Sequence, residues 1–199
     1  MATKLNLTIV QGNTFSQVVR WESVPFVFKP ITDISRSAPA VITAAAHGVP
    51  DGWRVAVVSA GGMSKINATH YPVRGSDLRT ATVVSSDTLA IHEINSTAYT
   101  AYTSGGYLVY YTPVSLSGYT ARMTIKDRVG GTALATLTSG TGEIVLDNTN
   151  KTITATISAA LTAAYAWASG VYDLELESGD GVVTTLLRGT VTVTEEVTT

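Results

Sequence analysis

The sequence predicts an all-β protein, a β-sandwich with one short helix that is interrupted by an inserted small β-barrel. Three observations carry this. The composition leans to Thr, Val, Ala, Ser and Gly, with few Lys or Glu. Thr and Val are stiff at the β-carbon and suit a pleated, half-buried surface. The C-terminal part alternates apolar and polar residues with period two, the signature of a strand with one dry face. The middle of the chain breaks into short strand candidates set apart by turn signals.

At the start, Leu5, Leu7 and Ile9 alternate with Lys4, Asn6 and Thr8, and Gln11-Gly12-Asn13 turns the chain into a second strand, Thr14 to Trp21. Two strands cannot bury a core alone, so they need the C-terminal strands. The middle holds all three His, with Pro39, Pro50 and Pro72 inside it and Pro30 at its edge. Its strand candidates are Ala40 to Thr43, Trp53 to Ser59, Tyr71 to Arg74, Thr80 to Val84, Thr88 to His92 and Gly106 to Tyr111. The turns between them are His47-Gly48, Asp51-Gly52, Gly61-Gly62 and Ser85 to Asp87. This spacing suggests a small barrel. The expected division is residues 1–30 and 112–199 for the sandwich and 31–111 for the barrel, inserted at a loop tip where a domain tolerates it best.

Beyond the insert, Tyr119, Ala121, Met123 and Ile125 share one strand face, and Thr120, Arg122, Thr124 and Lys126 share the other. Asp127 to Gly131 turns, and Thr132 to Leu137 returns. Glu143 to Leu146 and Thr152 to Ile157 form a hairpin around Asp147 to Asn150, residues that tolerate left-handed turn positions. A short helix is expected over Ala159 to Trp167. Ser158 caps it, Leu161 and Tyr165 share one face, and Gly170 ends it. The last hairpin puts Tyr172, Leu174 and Leu176 inward and Asp173, Glu175 and Glu177 outward. It turns at Ser178 to Gly181 and comes back over Val182 to Thr194.

Composition excludes several classes of function. The 199 residues carry 13 Lys and Arg against 15 Asp and Glu, a formal net charge of −2, and no basic cluster of the kind nucleic-acid binding needs. With no Cys there are no disulfides, thiolate metal sites or Cys nucleophiles. No apolar run reaches the length of a membrane span. The opening MATKLNLTIV lacks the long apolar core of a signal peptide, so synthesis in a cytoplasm is expected.

The segment Val114 to Asp127 (VSLSGYTARMTIKD), the closing Tyr172 to Val193 (YDLELESGDGVVTTLLRGTVTV) and the opening Gln11 to Phe15 (QGNTF) resemble a module of bacteriophage tail and baseplate proteins. The likeness is to the N-terminal, immunoglobulin-like domain of upper-baseplate proteins of siphophages that infect Gram-positive hosts. The middle resembles a second recurrent phage-tail module through Ala46 to Gly52 (AHGVPDG), Gly62-Met63, Ile66-Asn67, Tyr71 to Val73, Asp87 to Leu89 and Ala101 to Gly106 (AYTSGG). Such segments are described as similar to the first catalytic-cysteine half-domain of ubiquitin-activating enzymes. That likeness implies a small barrel and nothing catalytic, since this chain has no cysteine.

Candidate chemistry is thin. His47, His70 and His92 lack the short spacing of a local metal-ligand pair. His47 is expected to tighten its turn through a backbone bond, and the other two to lie on the surface. There is no Gly-x-Ser-x-Gly elbow. Glu143, Asp173, Glu175 and Glu177 are acids by type only, and three of them share an outward strand face, where charge guards against edge pairing. Gly61-Gly62 and Gly105-Gly106 lie between strands and read as turns. None of these patterns points to a catalytic group, a metal or a cofactor. Tyr119, Tyr172 and Trp167 read as core. Trp53, Tyr99, Tyr102, Tyr107, Tyr110 and Tyr111 are denser than a small barrel needs and read as an interface with a neighbour, where Tyr is favoured.

The resemblance implies a non-enzymatic structural component of a virion, assembled in the host bacterial cytoplasm. It would be a tail or baseplate adaptor, a homo-oligomer that docks to other virion proteins and not to nucleic acid or membrane. A capsid decoration protein is the first alternative. A carbohydrate-binding module contacting host polysaccharide is the second, with Tyr99, Tyr102, Tyr107 and Trp53 as its platform.

Overall fold

The structure, a computed structural model, describes residues 2–196. Its contacts group the chain into two units, Met1–Trp21 with Ser115–Thr199, and Glu22–Val114. The first unit opens with β1 (Thr3–Lys4), β2 (Leu7–Val10) and β3 (Phe15–Val19). The second holds β4 (Glu22–Pro30), β5 (Asp33–Ile34), β6 (Ala40–Thr43), β7 (Arg54–Val58), β8 (Arg79–Thr80), β9 (Thr82–Val83), β10 (Thr88–Ile91) and β11 (Tyr107–Pro113). The first unit resumes with β12 (Thr120–Lys126), β13 (Ala133–Thr138), β14 (Ile144–Asp147), β15 (Thr152–Ile157), α1 (Ala159–Ala163), β16 (Ser169–Glu177) and β17 (Val183–Thr194). The protein is all-β.

In the first unit, a sheet ordered β1-β17-β16-β12-β13 carries β2 as a further partner of β17, and a second sheet is ordered β14-β15-β3. The alternation read from the sequence sets which side is dry. Ala121, Met123 and Ile125 of β12 are buried with Tyr172, Leu174 and Leu176 of β16, and the same cluster takes Ile144, Ile153 and Ile157 from the smaller sheet. Two sheets sharing one apolar interior make a sandwich-like arrangement. β2 and β3 do not pair with each other, although they are consecutive. β2 runs parallel to β17, whereas β3 runs antiparallel to β15 in the other sheet, so the Gln11-Gly12-Asn13 turn carries the chain between sheets.

The expected helix is shorter and turned the other way. It spans Ala159–Ala163, and Ser158 does cap it, accepting from the Leu161 amide at 3.3 Å. Leu161 is exposed, and the buried side chain is Thr162, whose hydroxyl donates to the Asn13 carbonyl at 2.8 Å. Gly170 does not end the helix. It lies inside β16, where a Cβ would stand 2.7 Å from the Lys126 carbonyl oxygen, so its place is set by close strand approach.

The second unit consists of two four-stranded sheets, β5-β6-β10-β9 and β4-β11-β7-β8. Among the described residues the pairing leaves both open, so the expected barrel does not close. β4 was expected with the sandwich. It pairs along the whole of β11, which moves the division to 21/22 and 114/115. Tyr71 to Arg74 forms no strand. That loop leads into a 3-10 turn at Gly75–Asp77, and the Asp77 carboxylate accepts from the Thr69 amide and hydroxyl, the Arg74 amide and the His70 ring. These bonds hold its carboxyl well below the ordinary Asp range, with the Arg74 amide the largest cause.

Candidate functional site

The six aromatics singled out by density do not form one surface. Trp53 is fully buried, and its indole N–H donates to the Tyr111 carbonyl at 3.1 Å. Tyr110 is buried, its hydroxyl donates to the His47 carbonyl, and burial pushes its phenol up from the ordinary value. Both are core residues, which corrects their reading as interface. Tyr99 and Tyr102 are half-buried against the same core. Lys65 stands 5.8 Å over the Tyr99 ring, and the Tyr102 hydroxyl reaches the Ile31 and Gly105 carbonyls at 3.0 and 2.9 Å. Tyr111 packs its ring 4.3 Å from Phe26. Only Tyr107 is substantially exposed, at 45%, edge-on to Phe28, which is 46% exposed. The platform that a glycan would need thus loses Trp53 to the core and most of Tyr99 and Tyr102.

The physical reason lies in β11. Alternate residues of a strand face opposite ways. Leu108 and Tyr110 enter the cluster that holds Trp53, Ile42 and Leu89, while Val109 and Tyr111 face Ala56, Val58 and Leu78. A strand dry on both sides carries aromatics on both sides, and their density then says nothing about a partner.

His47 is buried and fully engaged. Its Nδ1 accepts from the Val49 amide at 3.0 Å, which leaves Nε2 as the donor to the Ser85 carbonyl at 3.0 Å. The ring ties two turns together. His70 and His92 are not drawn to it, and among the described residues no three His, Asp or Glu gather as metal ligands. Glu143 accepts from the Thr141 hydroxyl and the Thr138 amide, so it latches its own turn and its carboxyl is held below the ordinary Glu range, chiefly by Thr141.

A groove of about 740 Å³ lies on the outward face of the larger sheet of the first unit. Lys4, Arg122, Lys126 and Arg188 line it, together with Asp173 and Glu175, and Val129 of the β12–β13 turn forms part of its wall. Arg122 is paired with Glu175 at 2.8 Å. Lys4 and Arg188 are register partners on adjacent parallel strands, and Asp173 is the register partner of Arg188 on its other side. Sequence reading placed Arg122 and Lys126 outward but missed Lys4 and Arg188 as their neighbours. No local pattern tells which strand the N-terminal segment will join.

No protein-family model matches the chain, and no curated protein matches it.

Proposed function

We propose that the protein is a structural component of a bacteriophage virion, a tail or baseplate adaptor that acts by self-association and by docking to neighbouring tail proteins. The first unit would be its immunoglobulin-like module and the second a module carried beside it. The observation that supports this reading best is the sequence at Val114 to Asp127 and Tyr172 to Val193, which resembles the tail module and forms adjoining strands of one sheet, β12, β16 and β17. The side chains also fit a binding role: the cationic groove lies open on that sheet, and Phe28 with Tyr107 leaves an apolar patch on the second unit. Paired aromatics left in water are characteristic of protein contact surfaces.

Immunogold electron microscopy of intact particles, with an antibody to this chain, tests the reading. Label at the tail end is the expected result. Label spread over the head would replace it with a capsid decoration role, and particles without label would overturn it.

A further inference from the structure

The groove on the larger sheet of the first unit is charged in a way its own strands do not balance. It is lined by four cations and two carboxylates, on a chain whose formal net charge is −2. Of the cations, Arg122 has Glu175. Among the described residues Lys4, Lys126 and Arg188 enter no ion pair. Lys4 and Arg188 also stand side by side in register, like charges that disfavour each other, and Asp173, across from Arg188 in β16, closes no ion pair with either among the described residues. Val129, 89% exposed, adds an apolar edge.

The complementary surface is on the same unit, at the turn between β16 and β17. There Asp180 is exposed and enters no ion pair among the described residues, and Val182 and Val183 are 62% and 45% exposed. The turn is stiff. The Ser178 amide donates to the Val182 carbonyl at 3.0 Å, the Gly181 amide to the Ser178 carbonyl at 2.9 Å, and the Val182 amide to the Ser178 hydroxyl at 3.2 Å. A pre-ordered tip loses little freedom on docking. It offers a carboxylate beside two valines, and the groove offers unpaired cations beside a valine.

We propose that the groove receives the β16–β17 turn of a second copy of this chain, with Asp180 against Lys4 and Arg188 and Val182 against Val129. The contact is heterologous: each copy would give its turn to one neighbour and its groove to another, so that copies grow into a ring or a filament. The inference rests on the self-associating reading above and names the surfaces that reading would use.

Sedimentation velocity of the full chain at low salt, over a wide concentration range, tests it. Wild type should assemble, and salt should weaken the assembly. Arg188→Glu and Asp180→Lys should each weaken it by about tenfold or more. A mixture of those two variants should recover assembly as an alternating array, because the unchanged turn of the first fits the unchanged groove of the second, and the reversed turn of the second fits the reversed groove of the first. The doubly reversed chain, Arg188→Glu with Asp180→Lys, should regain longer assemblies. Lys126→Glu serves in place of Arg188→Glu should the latter fail to fold, as read from its circular dichroism. Single variants that assemble like wild type, or a mixture that does not recover assembly, would overturn this interface and leave the virion reading standing. A wild-type chain that stays monomeric would overturn it too, and if that chain binds polyglutamate the groove's occupant is a different acidic protein. Absence of the chain from particles is what overturns the virion reading.

Discussion

Gly189 of β17 lies against the backbone of Leu5: a Cβ at Gly189 would stand 1.9 Å from the Leu5 carbonyl oxygen, the atom to which the Tyr172 hydroxyl donates at 2.9 Å. Leu5 separates β1 from β2, so this point fixes how the N-terminal segment lies along the last strand. Gly189→Ala should push that segment away and cost about 1–3 kcal/mol, the usual penalty for overpacking. Tyr172→Phe should cost about 1–2 kcal/mol by leaving the carbonyl without its donor. Urea unfolding of the two variants checks both figures. Hydrogen exchange should show the loss concentrated at the amides of residues 5–10.

Burial, with the neighbouring Asp173 carboxylate, raises the Tyr172 phenol to about 12, and burial also raises Tyr110 and Tyr165. In the unfolded chain a phenol titrates near 10. Between those values the folded state holds more protons than the unfolded one, so stability falls as pH rises. It should be fully present below about pH 10 and decline towards pH 12, with Tyr172 accounting for roughly 2–3 kcal/mol. Denaturant unfolding across that range should show the decline, and Tyr172→Phe should flatten it.

The Asp77 carboxylate joins Thr69, His70 and Arg74 while its own side chain is 4% exposed. Its pKa is lowered on folding, so its contribution is present above the ordinary Asp value and is lost as pH falls through the lower folded one. Asp77→Asn should release the Thr69 and Arg74 amides to exchange while the first unit keeps its protection. Protection unchanged at both amides would show that the carboxylate is not what holds the loop.

Trp53 fills the core of the second unit and also satisfies a backbone carbonyl. Trp53→Ala should cost about 3–5 kcal/mol. Trp53→Phe should cost less and leave the Tyr111 carbonyl unpaired. Phe28→Ser with Tyr107→Ser removes an exposed pair and should shift stability by no more than about 1 kcal/mol. Chemical denaturation followed by Trp fluorescence (circular dichroism for the Trp53 variants) separates the two cases.

Local alternation made β12, β16 and the Asp147 to Asn150 hairpin legible, because a one-sided strand writes its dry face into every second residue. β4 was not legible. Pro25 and Pro30 argue against a strand, yet β4 lies at a sheet edge with β11 its sole partner in that sheet. The register shift opposite Tyr111 and Thr112 leaves Val24 and Pro25 unpaired in a bulge. Edges and bulges are where a sheet accepts proline. The groove was half legible. Arg122 and Lys126 follow from alternation, whereas Lys4 and Arg188 meet only through a parallel pairing that no turn announces.

That parallel pairing also governs the order in which the protein can be finished on the ribosome. Asn6 and Thr190, joined across β17, are 184 residues apart, and every residue of the second unit is made between them. Domains generally fold as units while the chain is synthesised. The second unit, Glu22–Val114, has all its strand partners once β11 has emerged. The first unit must wait, with β1 and β2 held out, until β17 is released to receive them. The inserted unit is therefore the one that matures first, and the unit carrying the groove is completed last.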